Sequence, residues 1–233
     1  MKILLKGSQI GSVVEALDLY ARIWIGQFDH IMYEMRWLKD CEEIDLQEER
    51  LVHLFLALRN ILLPGLSGYS LSGSYGIFSR KRDIRAAVAY DLQQVIRYRK
   101  AWFEKPEGGY TVDFRAPYPC EDDPYPLPKA ICIRKKEETI LEAEMLEEQV
   151  SIIVDALEIR AAMESGDFIK LFTYFTEDKK ILGYAEEITS IYSSASDSRY
   201  CKRKSDSLIE LVYEIKMQIF QQKAMSGESA THE

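Results

Sequence analysis

The chain has 233 residues, 47% hydrophobic and 29% charged, enough apolar material for a sizeable core and too much for a disordered chain. Its net charge of −8 disfavours a broad nucleic-acid-binding surface. No apolar run approaches the ~18 residues a membrane span needs. The opening Met1–Gly7 is too short and too charged for an export signal, and Cys41, Cys120, Cys132 and Cys201 form no C-x-x-C pair, so a soluble protein with free thiols in a cytosol is expected.

Lys2–Leu5 has the extended, β-favouring pattern of a strand. From Ile10 the apolar positions Val13, Val14, Leu17, Ala21, Trp24, Phe28, Ile31, Met32 and Met35 keep helical phase, which one long helix or two shorter ones would satisfy. An internal repeat decides between them. Displaced by 140 residues, Gln9–Ile31 falls on Gln149–Leu171 without a gap. The identities are Gln9/Gln149, Val14/Val154, Ala16/Ala156, Leu17/Leu157, Ala21/Ala161, Gly26/Gly166 and Phe28/Phe168. Chance gives about one or two in such a window. Two ordinary amphipathic helices sharing a period would produce part of this match, but a duplication accounts for it better. The second copy reads Glu164-Ser165-Gly166-Asp167-Phe168, where Gly suits a helix stop and Asp the next N-cap, so both copies are predicted to break at the glycine.

Asp45-Leu46-Gln47-Glu48 resembles a capping box opening a helix with Leu51, Phe55, Leu58 and Leu62 on one face, and Pro64-Gly65 ends it. Residues 65–82 form a Gly/Ser-rich loop, and Asp83 opens a helix to about Trp102. Tyr110–Arg115 and Ala130–Arg134 read as further short strands. The proline-rich stretch between them, Ala116 to Pro128, cannot be helical. The second copy mirrors the first with a helix near Asp178–Tyr192, a Ser-rich loop at 193–204 and a helix at about 206–223. The expected fold is mainly α (α+β): two tandem diverged helical units, residues 1–118 and 129–224, joined by a connector at 119–128, with a small antiparallel β-sheet and a disordered tail at 225–233.

Charge is unevenly spread. Residues 1–118 carry a net +1 and residues 119–233 a net −9, while Arg80–Lys100 alone is net +5. The loop Ser70–Ser79 leads through Arg80-Lys81-Arg82 into a helix, whose unsatisfied N–H groups and partial positive charge favour anions. Ser72, Ser74, Tyr75, Arg80 and Arg82 are therefore candidate ligand residues, with Arg97 two turns along the same helix face as Tyr90. The second copy offers a cousin in Ser198, Tyr200, Arg203 and Lys204 ahead of Asp206. A solvated surface loop is the competing reading, and no Walker motif is present. The only histidines are His30, His53 and His232. The pairs His30/Glu34 and His53/Glu49 have a helical spacing that can bind metal, but a lone His/Glu pair is far more often surface or core decoration. No catalytic residue, metal ligand or cofactor site is assigned.

The segments Glu15–Ile31, Gly73–Phe78, Ala89–Trp102 and Gly108–Phe114 resemble a family of small uncharacterised bacteriophage and prophage proteins, over most of residues 1–115. The resemblance implies a bacterial host cytoplasm as the setting and brings no activity or site residues with it. The expectation that follows is a non-catalytic, phage-type binding protein, with counter-defence as its context, whose partner is an anionic, nucleotide-like small molecule. The rival expectation is a protein-interaction module that inhibits a host protein through its acidic second half.

Overall fold

The computed structural model describes residues 1–38, 45–110, 112–120, 124–194 and 199–226. Strand β1 (Lys2–Lys6) runs directly into helix α1 (Gly7–Ile25), followed by α2 (Asp29–Leu38), α3 (Glu48–Leu62), a 3-10 turn at Pro64–Leu66 and α4 (Ile84–Glu104). The hairpin β2 (Lys129–Lys135) and β3 (Glu138–Glu144) then leads into α5 (Glu147–Ser165), α6 (Phe168–Thr173), α7 (Lys179–Ser194) and α8 (Arg199–Ser226). The fold is mainly α, with two tandem helical units and one small antiparallel sheet in the order β1-β3-β2.

The 140-residue offset has a structural meaning. It carries α1 onto α5 residue for residue, and the αL glycine that closes α1, Gly26 (φ 93°), onto Gly166 (φ 75°). The shared glutamines play one part in both copies. Gln9 accepts from the Lys6 amide at 2.8 Å and Gln149 from the Leu146 amide at 3.0 Å, each satisfying an orphan donor at its helix start. The offset also carries Ile3 onto Ala143, which is its own partner in the β1–β3 ladder, so a pseudo-twofold axis passes through that pair. Around this axis α1 packs on α4 as α5 packs on α8, and α1 and α5 pack on each other.

A single apolar core runs through both units. Its aromatic centre joins Phe28 and Phe168, which are repeat equivalents, to Phe55 and Phe172 with ring centroids 6.2–6.5 Å apart. Ile3, Leu5, Leu141 and Ala143 on the inner face of the sheet close it from one side. β1 is an edge strand, and α8 sheathes it. Gln222 both accepts from the Lys2 amide and donates to its carbonyl, and Gln218 does the same for Leu4. The match is geometric: glutamines four apart rise ~6 Å along a helix and alternate strand residues lie ~6.7 Å apart. Backbone groups that could recruit a foreign strand are thereby paired within the chain.

Some expectations change. Of the expected strand Tyr110–Arg115, the described residues Tyr110 and Val112–Arg115 are not strand: Asp113 accepts from the Arg115 amide and guanidinium and bends the chain there. The third strand is instead Glu138–Glu144, whose Glu and Ala residues are poor β formers; a turn with Lys136 at φ 61° and the burial of Leu141 and Ala143 override that preference. Asp45 does not cap α3: it pairs with Arg36 at 3.0 Å, and Glu48 joins it on the same guanidinium at 2.6 Å. α8 begins at Arg199, well ahead of Asp206, because Ser205 donates to the Ala161 carbonyl and pins that turn onto α5. Of the tail, Met225 and Ser226 belong to α8 and residues 227–233 lie outside the described residues. Among the described residues no helix is long and apolar enough to cross a membrane.

Candidate functional site

The loop between α3 and α4 is organised by a buried cation. Arg59 is fully buried, and its guanidinium donates to the carbonyls of Leu66, Tyr69, Ser70 and Gly73. Burial pushes its pKa down, opposed by nearby Asp29. Tyr75 is tied in as well: its amide donates to the Ile25 carbonyl at 2.9 Å, and its hydroxyl sits so close to Gly65 that a Cβ there would meet it at 2.2 Å. Ser72 and Arg80 are exposed and Ser74 is half-buried. Arg82 turns inward, donating to the Ser79 carbonyl at 2.8 Å beside the buried pair of Asp91 and Cys120. Burial, then Asp91, push the Cys120 thiol up to about 12. The α4 N-terminus is capped by Asp83, which accepts from the Arg85 amide at 2.9 Å. The first amides of α4 thus already face a carboxylate of their own chain.

In the second unit the Lys202-Arg203-Lys204 run lies inside α8 rather than ahead of a helix start at Asp206. Arg203 is exposed, Tyr200 stands in the first turn of α8, and Ser198 lies outside the described residues. The predicted ligand residues are therefore not one constellation. Two of them, however, meet: Arg97 and Lys204 line the same cleft.

This cleft has a volume of about 510 Å³ and lies between the two units. α1 contributes Val14, Glu15 and Asp18, and α2 contributes His30 and Glu34. From α4 come Gln93 and Arg97, one turn apart on a shared face, and Arg160 and Lys204 enter from α5 and α8. A continuous ion network holds the walls. Arg160, 6% exposed at its side chain, bridges Glu34 at 3.0 Å and the fully buried Glu164 at 2.7 Å. Lys204 reaches Glu164 at 2.9 Å and Glu15 at 3.6 Å. Asp18 accepts from Arg22 at 2.6 Å and from Gln93 at 3.1 Å. His30 lies 3.6 Å from Glu34 and 3.9 Å from Asp18. Burial and then Arg22 push its imidazole pKa below the ordinary value, against the pull of those carboxylates, which favours the neutral ring. The cleft walls thus offer carboxylate acceptors, guanidinium and ammonium donors, an amide and an imidazole that can do either.

The pseudo-twofold axis generates a counterpart. The 140-residue offset carries Glu15 and Asp18 onto Asp155 and Glu158, while Arg160 and Glu164 fall on Tyr20 and Trp24, and Glu34 on Tyr174. Here rings stand where the cleft has charges. The Arg85 guanidinium lies 3.3 Å from the Trp24 ring centroid, and Phe175 packs on the same indole at 4.7 Å. Glu158 accepts from the Tyr174 hydroxyl and from Lys216 at 2.7 Å; burial opposes its ionisation, but these two donors hold its pKa below the usual value. Asp155 goes the other way, raised by burial and then by Glu158.

Glu15, Asp18, Gln93 and Arg160 in the cleft, and Glu164 behind it, have no functional role in the sequence reading. A signal existed: Arg160 and Glu164 occupy helix positions that hold Tyr20 and Trp24 in the first copy, so a charged pair sits in an apolar phase. Among the described residues no three His, Cys, Asp or Glu side chains converge as a metal site would require. No family model, curated protein sequence or solved structure matches the chain.

Proposed function

We propose that the protein is a non-catalytic binding protein of phage type that captures a small anionic, nucleotide-like ligand in the cleft between its two units, in a bacterial host cytoplasm. The observation that carries this reading is the convergence of Arg97, Arg160 and Lys204, from three different helices, on one cleft. Its volume of about 510 Å³ lies within the range of small-molecule pockets. The divergence of the two copies also supports it, because the cleft keeps charges where its counterpart packs rings. The test is a thermal-shift and calorimetric screen of linear and cyclic nucleotides. A ligand at a hundredfold its Kd is expected to add about 2.7 kcal/mol of stability. Arg97→Ala and Lys204→Ala are each expected to weaken that response at least tenfold without loss of helicity by circular dichroism. A flat screen across all nucleotides overturns the reading.

A second reading, a module acting on a basic protein through the acidic second half, is favoured by one feature. Ile209, Tyr213, Met217 and Phe220 form an exposed apolar stripe on α8, with Tyr213 67% and Phe220 63% exposed, flanked by Glu210 and Glu214. Under this reading Tyr213→Glu and Phe220→Glu abolish retention of one stoichiometric basic partner, while Arg97→Ala leaves it intact.

A further inference from the structure

We infer that the ligand of the inter-unit cleft is amphoteric: a nucleotide whose base carries an exocyclic amino group, its phosphate taken by Arg97 and Lys204 and its amino edge by Asp18 and Glu34. This rests on the binding reading above and narrows it to one chemical class. The cleft is lined by three carboxylates, Glu15, Asp18 and Glu34, and three cations, Arg97, Arg160 and Lys204. A bare phosphate entering such a site competes with Glu15 and Glu164 for Lys204 and brings its charge beside carboxylates that it cannot satisfy. A ligand that also presents N–H donors removes that penalty.

The two carboxylates named as acceptors have capacity left. Asp18 uses one oxygen for Arg22 and the other for Gln93, and Glu34 uses one for Arg160 and points the other at His30. A carboxylate has about four lone-pair sites, so each retains room for a ligand donor. Their side chains are 35% and 20% exposed, open enough to be reached and sheltered enough for a hydrogen bond to discriminate. The His30 imidazole, beside both carboxylates, can accept from, or donate to, the same ring edge. In the counterpart region Glu34 is replaced by Tyr174, whose hydroxyl is committed to Glu158, so this acceptor pair exists on one side of the axis only.

The discriminating probes differ by a single group. AMP and IMP differ at the purine 6-position, amino against carbonyl, and CMP and UMP differ in the same way at the pyrimidine 4-position. Titration calorimetry on the full chain compares these four with inorganic pyrophosphate and the nucleosides adenosine and cytidine. At least one amino-bearing nucleotide is expected to bind about tenfold or more tightly than its carbonyl twin, because a site that pairs a donor rejects the analogue lacking it. Asp18→Asn or Glu34→Gln is expected to shrink that ratio towards one while phosphate-dependent binding remains, and circular dichroism checks that each variant folds. Equal affinity for AMP and IMP, and for CMP and UMP, overturns the inference but leaves the anion-binding reading standing. Nucleosides binding as tightly as nucleotides overturn the phosphate half. No binding of any probe sinks both.

Discussion

The cleft and its pseudo-symmetric counterpart are built from equivalent elements of the two copies and differ in what fills them. On one side, Arg160 and Glu164 are buried and ionic, tied to Glu34 and Lys204. On the other, the equivalent positions are Tyr20 and Trp24, packed on Phe175 and roofed by Arg85. A basic residue near the start of the fourth helix of each unit bridges two elements. Lys204 spans Glu15 and Glu164, and Arg85 spans the field of Asp155 and the face of Trp24. Aromatic packing closes such a space at lower free-energy cost, since burying charges carries a desolvation penalty that only good geometry offsets. The retention of an ionic solution on one side is therefore a departure from what stability alone selects, and such departures mark sites.

The contrast between the ionic and the aromatic side rests most heavily on Glu164. Glu164→Leu leaves Arg160 buried with one fewer partner and is expected to cost about 3–5 kcal/mol in urea unfolding, whereas Arg160→Leu combined with Glu164→Leu recovers much of that loss. If the double variant is as unstable as the single one, the network stabilises the fold and the contrast drawn with Trp24 is wrong. The two helix stops give the next largest effect. Alanine at Gly166 forces a positive φ and drives its Cβ to 2.2 Å from the rigid Tyr192 ring; at Gly26 the obstacle at 2.3 Å is the mobile end of Leu66. Gly166→Ala is expected to cost about 2–4 kcal/mol and Gly26→Ala about 1–3 kcal/mol, read from denaturation midpoints.

A milder break is at the β1 edge. Gln218→Ala or Gln222→Ala removes two hydrogen bonds to the strand and is expected to cost about 1 kcal/mol each, with concentration-dependent association in sedimentation experiments as the exposed edge finds partners. The smallest effect is in pH. Because burial holds the His30 pKa below its unfolded value, the folded state favours the neutral ring; this contribution is complete above about pH 6.5 and is lost as pH falls through the folded pKa. Stability is expected to fall between pH 7 and 5, and His30→Gln to flatten that slope in urea titrations at each pH.

Much of this architecture was readable in the order of residues. Gly26 and Gly166 announced the two breaks, and Gln9 and Gln149 turned out to be matching caps. The cleft was only half readable. Arg97 and Lys204 stand out by their charge, but as parts of two separate anion cradles at helix starts; one of those starts is capped by Asp83, and the other lies earlier than Asp206. His30 and Glu34, a lone pair along the chain, gain significance because Asp18 and Arg160 close around them from other helices. A pair four residues apart on a helix carries no information about what a helix more than a hundred residues away will bring to it.

Local chemistry settled what depends on neighbours along the chain: the 3.6-residue phase of the helices, the glycine stops, the capping aspartate at residue 83, and the doubling itself, which is a property of residue order. Tertiary packing settled what depends on distant surfaces. It made a strand of Glu138–Glu144 by offering it a ladder, lengthened α8 past its expected start by pinning Ser205 to α5, and placed the pseudo-twofold axis at Ile3 and Ala143. It also decided which charges share a cavity, because burial and Coulomb interaction act through space and have no period along the sequence.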